Sequence, residues 1–364
     1  MSEVLARETT RNIGTGIIDC DIHPTTRNRS ELHPWLPERW RKHLAEYGAQ
    51  ARLPFSTGTQ YPKAAPATAR RDAWPPAGGP PGSDLAFMQT QLLDPNDTAV
   101  GILSPLHGSA RNTDLDAALC TAVNEWQIEQ WVKPEPRLRA SVTVAHEDPD
   151  LAVEEIARRA GDARFVQILL PSKTNEPLGR KRYWPIFAAA QSAGLPIGVH
   201  VNSVGGGYAS TGSGWPSYYL QDHHINVHSF QAQVASLALE GVFERFPRLR
   251  MVMIEGGFAW LPALCWRLDR HWARMRDEVP ECKRPPSEYI REQLWFTTQP
   301  VEEPEQPEHL RDTLNWIGWD RLMFATDYPH WDYDDPAAAF KIAMTEQERA
   351  MIFRENACAV YGLA

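Results

Sequence analysis

The amino-acid sequence predicts a (β/α)8 barrel of the TIM type, one domain spanning 1–364. Three features carry that prediction: eight short runs rich in apolar or β-branched residues, amphipathic helical patterns between them, and a chain length that accommodates eight such units. Strands with little polar alternation suit a sheet covered on both faces, which points to parallel strands joined by helical crossovers. The first runs over 16–23 (GIIDCDIH), followed by 98–105 (TAVGILSP), 138–145 (LRASVTVA) and 164–171 (RFVQILLP). The fifth to eighth lie at 195–202 (LPIGVHVN), 249–257 (LRMVMIEGG), 294–298 (LWFTT) and 321–329 (RLMFATDYP). Helical periodicity fills 114–132, 148–161, 182–194, 230–247, 260–278 and 307–318, each between two strands.

Two insertions interrupt the alternation. Residues 24–95, after the first strand, are rich in Pro, Gly and Ala yet carry Trp35, Trp40, Tyr61 and Trp74. A flexible linker shares that Pro and Gly content but does not ordinarily hold so many aromatics, so a cap or an oligomer-contacting arm is expected. The second insertion, 202–230, begins NSVGGGYASTGSGWPSYYLQDHHINVH and follows the fifth strand, where a barrel keeps its substrate loops. Trp215 and Tyr218 are its candidate substrate contacts.

At 43% hydrophobic and a formal charge of −9, the chain is globular and shows no run of basic residues of the kind that nucleic-acid binding needs. No apolar stretch reaches the roughly 20 residues that span a bilayer, and the leading MSEVLARETTRN lacks the basic-then-apolar layout of a signal peptide. A cytoplasmic protein without membrane contact is expected. Five scattered cysteines (Cys20, Cys120, Cys265, Cys282 and Cys358) form no Cys-x-x-Cys pair and are expected to be reduced and idle.

Chemistry in such a barrel gathers at the C-terminal ends of the strands. There the sequence places Asp21 and His23 on the first strand, His200 on the fifth, Glu255 on the sixth and Asp327 on the eighth. Strict alternation would put Asp19, Asp21 and His23 on one face and Ile18, Cys20 and Ile22 on the other. Each residue has a plain reading: a strand running out into the turn at Pro24 and Thr25, a satisfied core histidine, a carboxylate capping a tight turn. Jointly, carboxylates and imidazoles converging on one barrel mouth are costly unless a positive charge sits among them, and one divalent cation is the economical candidate.

These residues resemble the amidohydrolase superfamily. The Asp-x-His pair of the first strand, the histidine ending the fifth, the TDYP context of Asp327 and the stretch GVFERFPRLRMVMIEGGFAWLP are similar to its amidohydrolase-related branch, which includes aminocarboxymuconate-semialdehyde decarboxylase and hydroxybenzoate-type decarboxylases. The resemblance covers roughly 16–361 and implies metal ligands at Asp21, His23, His200 and Asp327. It implies a single ion, since an acid replaces the more familiar His at 21 and Lys173 lies too far into its loop to serve as a carboxylated lysine. It also implies a homodimer or higher oligomer. One position departs: where the branch commonly has a histidine before Gly-Gly, this chain has Glu255.

The leading reading of the reaction is hydrolysis of an amide, ester or related carbonyl in a small aromatic or cyclic substrate. The metal, Zn first with Mn or Fe as alternatives, would lower the pKa of its water toward about 7. Asp327 or Glu255 would then move the proton, with His228 as a further candidate. His223, His224 and His330 join Trp215 and Tyr218 as candidate substrate contacts, although loop histidines are as readily mere surface groups. A metal-dependent, non-oxidative decarboxylase of an aromatic or enoic acid is the alternative. A non-catalytic barrel binding a small molecule or partner is the third reading.

Overall fold

The computed structural model describes residues 15–48, 63–106, 110–201, 214 and 216–363. Eight strands run in the order predicted: β1 (Ile17–Ile22), β2 (Thr98–Leu103), β3 (Leu138–Thr143), β4 (Phe165–Pro171), β5 (Ile197–His200), β6 (Met251–Ile254), β7 (Leu294–Thr297) and β8 (Leu322–Met323). They form one sheet in sequence order, and every neighbouring pair is parallel. Backbone bonds close it: Cys20 N–H to Phe324 O at 2.9 Å, His23 N–H to Tyr328 O at 2.8 Å and Asp327 N–H to Asp21 O at 3.2 Å. The (β/α)8 barrel expected from the sequence is the fold observed.

The helices, in chain order, are α1 (Glu38–Glu46), α2 (Leu85–Met88), α3 (Thr113–Trp126), α4 (Pro149–Arg159), α5 (Trp184–Ala193), α6 (Tyr219–Ile225), α7 (Val227–Leu239), α8 (Val242–Arg245), α9 (Leu261–Met275), α10 (Pro286–Gln293), α11 (Pro307–Ile317), α12 (Glu346–Ala350) and α13 (Asn356–Tyr361). Asn112 and Asp148 start α3 and α4 by accepting hydrogen bonds from Leu115 N–H and Leu151 N–H. Periodicity does not reveal α1, α2, α6, α10, α12 or α13, which are short or lie in the insertions and the C-terminal tail.

The apolar core has two parts. The larger joins strand and helix faces, with Trp126, Phe165, Phe187, Phe230, Phe243 and Phe296 among its members. The smaller draws Ile18, Cys20, Val100, Ile102, Val166, Val252, Ile254 and Met323 from β1, β2, β4, β6 and β8, residues that meet only inside the barrel, with Val360 and Tyr361 of α13 against them.

This partition corrects the strict alternation expected for the first strand. Between Asp19 and Ile22 the register of β1 on β2 shifts, three steps along one strand matching two along the other. Such a bulge changes which face a side chain meets. Ile18 and Cys20 therefore join the inner cluster while Ile22 joins the outer one. Asp19, 0% exposed, accepts from Thr326 N–H (3.0 Å) and Thr326 Oγ1–H (2.6 Å), tying β1 to the segment after β8. Only Asp21 and His23 are left to reach the mouth.

The insertion after β1 packs on that mouth along its described second half. Arg70 N–H bonds Pro329 O (3.0 Å), Trp331 N–H bonds Thr68 O (2.8 Å) and Thr25 N–H bonds Gly82 O (2.8 Å). Gly82, at φ +77°, lies so close that a Cβ there would stand 2.3 Å from His23 O. Trp40 is buried at 6% exposure and Trp74 is exposed at 40%; Tyr61 lies outside the described residues. The five cysteines are free thiols, and among the described residues no helix is long and apolar enough to cross a membrane.

Candidate metal centre

Four strands deliver the cluster. Asp21 at the end of β1 and Asp327 after β8 are 0% exposed, His23 and His200 are 2% exposed, and Glu255, just past β6, keeps a tenth of its side chain exposed. His23 Nδ1 lies 2.7 Å from Ser104 O and His200 Nδ1 lies 2.6 Å from Val201 O. A carbonyl only accepts, so in both rings Nδ1 carries the hydrogen and donates it. In the His200 ring this leaves the Nε2 lone pair unpartnered and aimed into the cluster, the arrangement in which metal-bound imidazoles are ordinarily held, whereas His23 Nε2 is at hydrogen-bond distance from Asp327 Oδ1.

Around those two nitrogens stand carboxylate oxygens. His23 Nε2 is 2.7 Å from Asp327 Oδ1 and 3.5 Å from Asp21 Oδ2. His200 Nε2 is 3.4 Å from Asp21 Oδ2 and 3.3 Å from Glu255 Oε2. Both Asp21 oxygens, His200 Nε2, Glu255 Oε2 and Asp327 Oδ2 are buried without a hydrogen-bond partner. Lone pairs facing lone pairs in a dry site repel, and each orphaned group costs about 1–3 kcal/mol. Two ligands held about 2.1–2.3 Å from one ion at right angles stand about 3.0–3.3 Å apart, close to the longer spacings seen here.

The backbone is bent to this end. Glu255 and Asp327 sit at φ 56° and φ 62°, a left-handed region that side chains other than glycine rarely occupy and that concentrates at functional sites. Glu255 N–H is held by Thr297 Oγ1 at 3.0 Å, and Gly256 follows because a Cβ there would meet the Phe230 ring at 2.8 Å.

The charges interlock. Burial pushes the Asp21 carboxyl up, but His23 and His200 outweigh it and hold it below the ordinary carboxylate range. Asp327 is likewise lowered against its own burial by His330 and His23. Burial would lower His23, yet Asp21 and Asp327 raise it well above its usual value. Glu255 goes the other way, raised by burial and by the Asp327 charge.

Above the cluster lies an aromatic rim. His330 Nδ1 is 2.6 Å from Asp327 Oδ1, and its ring stacks on His23 at 4.5 Å between centroids. His223 Nε2 is 2.9 Å from Asp332 Oδ2, whose carboxylate also accepts from Gln299 Nε2–H at 3.2 Å. The His223 ring stacks on Tyr219 (5.7 Å) and tilts against Trp331 (5.5 Å), while Trp331 Nε1–H donates to Tyr219 Oη at 2.7 Å. The structure thus brings His330 and His223 to the mouth. Tyr218 is 71% exposed, His224 and His228 are exposed on α6 and α7, and no hydrogen bond or ring contact joins them to the cluster among the described residues. Trp215 lies outside the described residues. Lys173 donates from Nζ to Asn226 Oδ1 at 2.7 Å.

Sequence reasoning missed Asp332, Gln299, Tyr219 and Thr297. Asp332 had a signal, an acid five positions beyond Asp327 in the same acidic loop TDYPHWDYDD. The others read as ordinary strand-end or loop residues.

A family model described as amidohydrolase matches residues 18–363. The chain belongs to the amidohydrolase family. This amidohydrolase is 25% identical over 309 residues to a gamma-resorcylate decarboxylase of Polaromonas sp. strain JS666, an alignment covering 77% of the chain and 91% of the relative. Its fold matches the dihydroxybenzoic acid decarboxylase of Polaromonas sp. JS666, solved with manganese and 2-nitroresorcinol, at a TM-score of 0.65 and 20% identity, with 95% of this chain and 97% of that one covered. It also matches the 5-carboxyvanillate decarboxylase of Novosphingobium aromaticivorans, solved with manganese and 4-hydroxy-3-methoxy-5-nitrobenzoic acid, at a TM-score of 0.69 and 18% identity, covering 97% of each. These findings correct the expected reaction: the similar proteins are decarboxylases, which overturns hydrolysis by a metal-activated water as the leading reading. The reason is physical, since a cradle of carboxylates and imidazoles suits either chemistry and the ligands alone do not choose.

Proposed function

We propose that this amidohydrolase is a metal-dependent, non-oxidative decarboxylase of an aromatic acid that carries a hydroxyl beside its carboxylate. The observation that carries the reading is the set of buried, unpartnered acceptors of Asp21, His200 and Asp327 around His23, on a chain similar to decarboxylases of hydroxybenzoates. Asp21, His23, His200 and Asp327 would hold the ion, and manganese, present in the two solved decarboxylases above, is the metal to load first. When bound, such an ion supplies Lewis-acid charge for a carboxylate and its neighbouring hydroxyl.

The chain's own residues do the rest. Asp327 has two distinct oxygens: Oδ2 is buried without a partner, while Oδ1 lies 2.6 Å from His330 Nδ1 and 2.7 Å from His23 Nε2. In this reading the Asp327–His330 pair would hold the proton that the reacting carbon receives. As the ring-to-carboxylate bond breaks, its electron pair stays on the ring carbon, which takes that proton, and carbon dioxide leaves. Tyr219, His223 and Trp331 present flat faces that receive a planar ring. Self-association through the 24–95 arm belongs to the same proposal, supported by the exposure of Tyr47 (73%) and Trp74 (40%), and light scattering reads it directly.

The test is carbon dioxide release from 2,6-dihydroxybenzoate and 5-carboxyvanillate by manganese-loaded protein, beside amine or acid release from an amide and ester panel. Decarboxylation is expected, and it should fall by about 10³-fold or more in Asp327→Asn while the barrel remains folded, a loss that combines a ligand with a proton carrier. No carbon dioxide release from either acid by folded, manganese-loaded protein would refute the proposal.

A further inference from the structure

We infer that Glu255 is itself a metal ligand, the residue that closes the cradle from the β6 side. The inference rests on the metal-dependent reading above and adds an oxygen to its ligand set at the position where the resemblance places a histidine.

Among the described residues, two overlapping groups of side chains each place one ligand atom per residue within 4.8 Å of the others. One is Asp21, His23, His200 and Glu255; the other is His23, Glu255, Asp327 and His330. His23 and Glu255 belong to both, so an ion seated in either group lies against Glu255. The distances agree. Glu255 Oε2 stands 3.3 Å from His200 Nε2, and both atoms are buried without a hydrogen-bond partner. A carboxylic acid donating to an imidazole nitrogen closes to about 2.7 Å. At 3.3 Å the pair is too far apart to share a proton well and correctly spaced for adjacent ligands of one ion. The backbone supports this aim, since the left-handed φ of 56° is held by Thr297 Oγ1 on the neighbouring strand.

The consequence is a choice of metal. In either group Glu255 supplies a second carboxylate beside two imidazoles, and that added oxygen favours an ion of higher coordination number such as Mn²⁺ over Zn²⁺, which prefers four ligands richer in nitrogen and sulfur.

The experiment is chelator competition for Mn²⁺ and Zn²⁺ on the full chain, Glu255→Gln and Glu255→His, with circular dichroism to confirm folding. Loss of an outer-shell partner weakens metal binding about 10–100-fold, so a ligand must cost more. A Mn²⁺ Kd raised by more than about 100-fold in Glu255→Gln is expected, together with a Zn²⁺-to-Mn²⁺ preference shifted at least 10-fold toward zinc in Glu255→His. A smaller rise in Glu255→Gln makes Glu255 an outer-shell group and overturns the inference while leaving the metal-dependent reading in place. If Glu255→Gln fails to fold, the preference of Glu255→His decides, and an unchanged ratio overturns the inference. A wild-type chain that binds neither ion overturns both.

Discussion

Replacing Thr297 with valine keeps the shape of a side chain that is 1% exposed and removes one acceptor, the Oγ1 that takes the Glu255 N–H at 3.0 Å. The orphaned buried N–H costs about 1–3 kcal/mol. Part returns if Glu255 relaxes from φ 56°, a conformation that itself stores about 1–3 kcal/mol. The net expectation for Thr297→Val is a stability loss of about 1–2 kcal/mol, read from the urea midpoint of tryptophan fluorescence at unchanged slope. Relaxation has a second consequence, because the carboxylate that the strained backbone aims at His200 swings away. Mn²⁺ affinity should therefore fall by about 10–100-fold, the range for a group that orients a ligand. Both effects must appear together. A stability loss with metal affinity intact refutes the reasoning, since Thr297 would then support the strand without steering Glu255.

Gly82→Ala tests whether the insertion buttresses the cradle: its Cβ would stand 2.3 Å from His23 O, so both stability and Mn²⁺ affinity should fall, whereas Gly78→Ala, at φ +83° with nothing within 4 Å, should lose only about 1 kcal/mol of stability and no affinity. Equal behaviour of the two variants counts against a buttress. Burial raises the Asp116 carboxyl from 3.8 to about 6 despite its hydrogen bond from Ala110 N–H. Its neutral form is the one the fold accepts, so its stabilisation is complete below about pH 4 and is lost as pH rises through about 6, by at most about 3 kcal/mol. Asp116→Asn, neutral throughout, should show a flatter stability profile between pH 4 and 7 in urea titrations, and parallel profiles would contradict the assignment.

The barrel was legible because strands buried on both faces must be apolar almost throughout, so each of the eight announces itself as an uninterrupted run. The same apolar background made Asp21, His23, His200 and Asp327 conspicuous at strand ends. What the sequence concealed follows from interactions that leave no pattern. Backbone carbonyls of Ser104 and Val201 orient the two imidazoles, and a carbonyl is present at every residue. The bulge between Asp19 and Ile22 is a matter of register, invisible in a chain whose alternation looks regular. His223 looked no different from His224 and His228 until α6 turned it toward Asp332. The sequence did not choose between reactions for another reason: a metal that polarises a carbonyl for water also polarises a carboxylate for loss of carbon dioxide, so residue types at the mouth were compatible with both.

His23 and Asp327, 2.7 Å apart, are separated by 304 positions in the chain. The seam at which β1 meets the segment after β8 is thus also the place where the proposed cradle is assembled, from the first and the last strand of the barrel. A segment that carries β1 without the residues after β8 holds Asp21 and His23 but lacks Asp327, and so presents only part of the proposed cradle. Ion binding at the proposed cradle would then report on closure of the barrel: a chain that lacks β8, or has misplaced any of the intervening strands, is expected to fail at the same spot as a chain with a mutated ligand.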